Sequence, residues 1–175
     1  QQEKNEAFSH IASAQSRLVI LNHLGHYTNK ELGETIRANA TAEKSELTEA
    51  SEILKNIPLS DLNSTEQADV HATIVQVNVY SEYCDLWAGP LSTYIESFQI
   101  WSRTGDPGTV AKSEASMNTA LSEANSSVNR IIEELNSINE DALSPERRAV
   151  LISDRAQFLK FRDSIMLNDK ILEDA

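Results

Sequence analysis

The chain has 175 residues, enough for one domain with a real core, and its 5 glycines and 4 prolines are too few for the many turns of an all-β protein. Twenty-seven acidic residues against 15 basic give a net charge of -12, which repels a nucleic-acid backbone and an anionic membrane surface alike. No run of about 18 apolar residues occurs, so no segment reads as a membrane-spanning helix.

Heptad-like apolar spacing runs through nearly the whole length and predicts long helices, packed as one all-α domain over residues 1–175. The first run, Gln2 to Tyr27, carries Phe8, Ile11, Gln15 and Leu18 on one stripe and Ala7, Ala14, Leu21 and Leu24 on another. Two apolar faces on one helix suit either a partner subunit or neighbouring helices of the same chain. Gly25 to Glu31 breaks or kinks that helix, because Thr28-Asn29-Lys30-Glu31 reads as a capping box that restarts it.

The second run extends to Ile57 through Leu32, Ile36, Ala40, Leu47, Ala50 and Leu54, and its alanine-rich polar middle, Ala38 to Glu46, predicts thin packing. Pro58 stops it, and Ser64 or Thr65 is positioned to cap the next helix. The third run, Glu66 to Arg103, carries Val70, Ile74, Val77, Tyr80, Cys84, Trp87, Leu91, Tyr94, Phe98 and Trp101 on its stripe. Gly89-Pro90 inside that run predicts a kink, since proline removes a backbone bond and crowds the preceding turn.

Thr104 to Gly108 reads as a turn. The fourth run, Val110 to Ile138, uses Met117, Leu121, Ala124, Val128, Ile131, Leu135 and Ile138. Ser144-Pro145-Glu146-Arg147 then opens a last helix with an N-cap and a proline at its first position, continuing through Leu151, Phe158, Phe161, Ile165 and Ile171. The expected architecture is an antiparallel up-and-down bundle of four passes, the first helix long or kinked, with the N- and C-termini at the same end. That parity suits a domain inserted between two membrane helices, and the start at Gln1 fits a piece of a longer or processed protein with transmembrane segments outside it.

Enzymatic signatures are missing from the sequence. None of the four histidines follows a glutamate by three residues, as a di-iron bundle requires, and neither a phosphate-cradling glycine loop nor a glycine-flanked serine occurs. The lone Cys84 sits on an apolar stripe and reads as buried filler. No catalytic residues, metal or cofactor are expected; His23 and His26, one turn apart, are the weak metal candidates. The sequons at Asn39, Asn63 and Asn125 carry little weight in a chain so rich in serine, threonine and asparagine.

Two groups of residues are candidates for ligand contact. Tyr80, Trp87, Tyr94 and Trp101 line the aromatic stretch around the Gly89-Pro90 kink, where a small apolar pocket with polar handles can open. Arg17 lies on the second apolar stripe of the first helix, between Ala14 and Leu21, where a guanidinium needs either an anion or a path to water.

The stretch Ile11-Ala12-Ser13-Ala14-Gln15-Ser16-Arg17-Leu18 resembles the first-helix motif of helical extracytoplasmic sensor domains, in nitrate/nitrite sensor kinases and in chemoreceptors with the domain described in type IV pili transducers. The resemblance covers about ten residues, in which small residues precede a polar residue, an arginine and a leucine or methionine. It implies a periplasmic helical bundle, dimeric across the first helix, with Arg17 reading an anion. Ala14-Gln15-Ser16 stands where further basic residues often occur, and Val19-Ile20-Leu21 where polar ones do, which argues against nitrate or nitrite in particular.

The expected function is therefore an extracytoplasmic ligand-sensing domain of a membrane-bound signal-transduction receptor, either a histidine kinase or a methyl-accepting chemoreceptor. Its expected partners are a small-molecule or anionic ligand and a second copy of the chain, and nucleic acid is not among them. Signalling would proceed by helix displacement on the periplasmic side of the cytoplasmic membrane, without chemistry. The alternative is a helical scaffold or protein-interaction module with no small-molecule ligand.

Overall fold

The computed structural model describes residues 30–173, with side chains described over residues 34–167. Helix α1 spans Lys30–Lys55, α2 Ser64–Leu86, α3 Ser92–Trp101, α4 Pro107–Asn136 and α5 Pro145–Glu173. A five-residue π-helical turn, Trp87–Leu91, joins α2 to α3 without a break, so the two form one rod. The described residues are an all-α helical bundle, with no strand among them.

Helix boundaries follow local chemistry. Pro58 ends α1, and Gln67 then ties the connecting turn down by donating its side-chain amide to the carbonyls of Leu59 and Leu62. The N-cap of α2 is Asn63, not the expected Ser64 or Thr65. Its side chain accepts from the Glu66 N–H while Glu66 accepts from the Asn63 N–H, a reciprocal capping box. Asp106 caps α4, accepting from both the N–H and the hydroxyl of Thr109, and these bonds hold its carboxyl below the ordinary carboxylate range. Ser144 caps α5 ahead of Pro145, as its sequence predicts.

The core is made from one stripe each on α1, α4 and α5 and from most of the circumference of α2, which buries Val70, Ala72, Gln76, Val79 and Tyr83 on different faces. Ile36, Ala40, Leu47, Ala50 and Leu54 of α1 meet Val77, Val79, Cys84 and Leu86 of α2, Leu121 to Leu135 of α4, and Leu151, Phe158 and Ile165 of α5. The middle of α1 is not thinly packed: Ala40 and Glu43 are as buried as their leucine neighbours. Cross-helix pairs between α1 and the rod run in opposite chain directions, Lys44 to Asp85 and Arg37 to Glu96, both at 2.7 Å. The same holds between the rod and α4, where Glu82 meets Arg130, Ser97 meets Ser116 and Trp101 meets Glu114. Gln2 to Tyr27, the junction as far as Asn29 and the two chain ends lie outside the described residues, while Lys30 and Glu31 already belong to α1, so the number of passes and the position of the termini rest on the sequence alone.

The π turn has a consequence for register. It takes up one extra residue, so the apolar spacing that precedes it no longer points the same way beyond it. Phe98, on the expected stripe, is 45% exposed, and Ser97 is buried in its place, donating its hydroxyl to Ser116 at 2.8 Å. The expected distortion at Pro90 therefore takes the form of a register slip, stabilised where the Ser92 hydroxyl donates to the Trp87 carbonyl at 2.6 Å.

Candidate functional site: a polar seam between α2 and α5

Along α2, Asp69, Thr73, Gln76, Tyr80, Tyr83 and Trp87 recur at alternating steps of four and three, so they share one face. Along α5 the same spacing aligns Arg147, Leu151, Asp154, Phe158, Phe161 and Ile165. These stripes face each other and pair in the same chain direction. Asp69 accepts from the Ser144 N–H at 3.0 Å, Gln76 and Tyr80 both donate to Asp154 Oδ2, and Tyr83 meets Phe158 and Phe161 edge-on. The seam is polar at the end nearest the start of both helices and aromatic beyond.

Asp154 is 8% exposed, and burial pushes its carboxyl above the ordinary range despite the bonds from Tyr80 and Gln76 and the nearby Arg147 charge. Burial also pulls the Arg147 guanidinium down, while Asp69, Tyr80 and Asp154 pull it back; an arginine so placed remains charged at neutral pH. Arg147 Nη1 reaches Gln76 Oε1 at 3.5 Å, linking the guanidinium to the Gln76–Asp154–Tyr80 network.

Where the polar half of the seam opens, a cavity of about 280 Å³ lies between α1, α2 and α5. Leu54, Val70 and Val150 supply its apolar wall, and Asp69, Thr73, Ser144, Glu146 and Arg147 its polar one. At the far end of the bundle a larger open groove, about 640 Å³, is lined by Glu34, Arg37, Glu96, Gln99, Ile100, Arg103, Thr104 and Thr109. The Arg37–Glu96 ion pair is among its lining.

A second polar centre sits across α2. Glu43 of α1 is fully buried, at 0% exposure, beside the Cys84 thiol and the Tyr83 phenol. Burial pushes Tyr83 up to about 12, with a smaller push from the Glu43 charge. Cys84 is raised further, by burial first and then by Glu43 and Asp85. A thiol held protonated and out of solvent is no nucleophile.

The four aromatic candidates take separate roles. Tyr80 belongs to the seam through Asp154; Trp87 packs against Tyr83 and Phe161; Tyr94 and Trp101 stack on either side of Phe98. None of the four lines either cavity. Ala14, Arg17, Leu21, His23 and His26 lie outside the described residues. Among the described residues no group of three or more His, Cys, Asp or Glu side chains is arranged to hold a metal. Sequence reasoning missed Glu43, Gln76, Arg147 and Asp154. The available signal was a polar residue in a core slot, as in Leu151-x-x-Asp154-x-x-x-Phe158 and Ala40-x-x-Glu43-x-x-x-Leu47.

The fold and the seam define a helical bundle with a polar interhelical cavity. No family model, curated protein or solved structure matches the chain.

Proposed function

We propose that this chain is the extracytoplasmic ligand-sensing domain of a membrane-bound receptor, a histidine kinase or a methyl-accepting chemoreceptor, and that it signals by helix displacement. The supporting observation is the cavity beside a buried charged network. A ligand that engages Arg147 or Asp69 alters the side-chain bonds that bridge α2 and α5 across the core, and so favours one arrangement of the bundle over another. The periplasmic location, the dimer across the first helix and an anion contact at Arg17 belong to the same proposal and rest on the resemblance of Ile11 to Leu18. Among the described residues no helix is long and apolar enough to cross a membrane; anchoring by flanking transmembrane segments belongs to the same proposal and rests on the same resemblance.

The test is a thermal-shift screen of small anions, amino acids, organic acids and amines on wild type, Arg17→Ala and Arg147→Gln. A ligand at a hundred times its dissociation constant adds about 2.7 kcal/mol of stability, which is readily seen. A hit lost in Arg147→Gln assigns sensing to the seam, and a hit lost only in Arg17→Ala assigns it to the first helix.

One observation favours the alternative reading as an interaction module. Ile152, Leu159 and Met166 recur every seven residues on α5, and all three are exposed, the last at 53%. Such a stripe fits a partner helix. If that reading holds, Leu159→Glu abolishes a complex seen by sedimentation and the ligand screen is silent.

A further inference from the structure

We propose that the cavity between α1, α2 and α5 binds a small zwitterion, a molecule carrying one ammonium and one carboxylate on a short aliphatic body, of the class of free α-amino acids. This rests on the reading of the domain as a sensor and narrows its ligand.

Size sets the first bound. A volume of about 280 Å³ lies just under the usual range for small-molecule pockets and equals that of roughly nine waters, which limits the occupant to on the order of ten non-hydrogen atoms. Charge sets the second. The polar wall presents both signs, with Asp69 and Glu146 as carboxylates and Arg147 as the guanidinium. A simple anion on Arg147 meets the repulsion of the two carboxylates, and a simple cation on the carboxylates meets that of Arg147. A zwitterion satisfies both, its carboxylate on the planar fork of Arg147 and its ammonium on Asp69 and Glu146. The third bound is the apolar wall. Val150, half-buried, offers an aliphatic surface to a side chain of matching kind, and the nearly buried Leu54 and Val70 back it.

The same site is wired into the seam. Arg147 reaches Gln76 Oε1, and the amide of Gln76 donates to Asp154 beside the Tyr80 hydroxyl. A ligand carboxylate that draws the guanidinium toward the cavity is therefore felt by the buried bonds that join α2 to α5.

The experiment is calorimetric titration of the full chain with glycine, alanine, valine and leucine. Isoamylamine and 4-methylpentanoate serve as comparators that keep the leucine body and lack one charge. Titrations are repeated on Arg147→Gln and on Asp69→Asn, which retains an acceptor for the Ser144 N–H, with circular dichroism confirming the fold of each variant. The expected result is one or more aliphatic amino acids binding, each one-charge comparator weaker by about tenfold or more, and each variant weakening the amino acid by a similar factor. A comparator that binds as well as its amino acid overturns the proposal, as does an affinity unchanged in both variants. If a variant fails to fold, the comparison between amino acid and one-charge analogue on the wild type decides alone. If no amino acid binds but the broader screen gives a hit of other chemistry, the ligand class is wrong and the sensor reading stands. If the broader screen is empty as well, both fall.

Discussion

Asp154 is the side chain on which the polar half of the seam converges, accepting from both Gln76 and Tyr80. Tyr80→Phe removes one of two bonds to a buried carboxylate, with an expected cost of about 1–3 kcal/mol in urea unfolding. Asp154→Asn keeps an acceptor oxygen for both donors and removes the buried charge. Because the folded-state pKa is raised above the ordinary 3.8, the native state binds this proton more tightly than the unfolded chain. Stability from this group is therefore full below pH 3.8 and declines as pH rises through the folded pKa. The stability of Asp154→Asn relative to wild type should rise between about pH 4 and pH 7. A difference that stays flat across that window contradicts the burial argument. Cys84 gives an independent check at the same scale. Its thiol, buried and raised by Glu43 and Asp85, should resist a soluble disulfide reagent in the native protein and react at once in denaturant.

Among the elements, the rod formed by α2, the π turn and α3 carries the clearest contrast. Heptad spacing places Phe98 in the core, and the register slip at Trp87–Leu91 turns it outward. Phe98→Ala should then cost only about 1 kcal/mol, the scale of its stacking on Tyr94 and Trp101, while Leu135→Ala, from a fully buried site, should cost about 2–5 kcal/mol. Equal losses at the two positions would place Phe98 in the core after all. Pairing of α4 with α5 has its own device: the Arg155 guanidinium donates to the carbonyls of Leu135 and Ile138 and to the Glu140 carboxylate. It thereby satisfies acceptors left over at the end of α4 and fixes the corner from which α5 departs.

Across the whole molecule, charge acts more through its total than through its pairs. The ion pairs that link the helices, Arg37–Glu96, Lys44–Asp85 and Glu82–Arg130, are exposed enough for water and salt to screen them, and each contributes little. A net charge of -12 over one small bundle repels itself. Raising the salt from about 10 to 150 mM, which shortens the screening length from roughly 30 to 8 Å, should therefore raise the urea midpoint. A fall would mean that the surface pairs outweigh the net repulsion. The exposed Ile152–Leu159–Met166 stripe and the cavity lie on different faces of α5, so loss of an assembly and loss of a ligand can be measured separately.

By itself the sequence determined the helical class, four of the helical runs, the cap at Ser144 and most of the core, while Ala72, Val79, Tyr83 and Leu86, off the expected stripe of the third run, are buried as well. An apolar residue every three or four positions can be buried only by a helix packed along that stripe, as Ile36 to Leu54 and Met117 to Leu135 are. Tertiary structure decided the candidate site. Glu43 and Asp154 each interrupt an apolar stripe, Arg147 begins one and Gln76 lies off it, and a stripe read alone does not tell whether such a residue turns to solvent or finds a buried partner. The partner lies 74 residues away, as Tyr80 does from Asp154, on a helix whose relative rotation is fixed only when all the stripes pack at once. The slip at Pro90 is of the same kind, since proline signals that the helix must adjust, and packing against α4 chooses the π turn that places Ser97 inward and Phe98 outward.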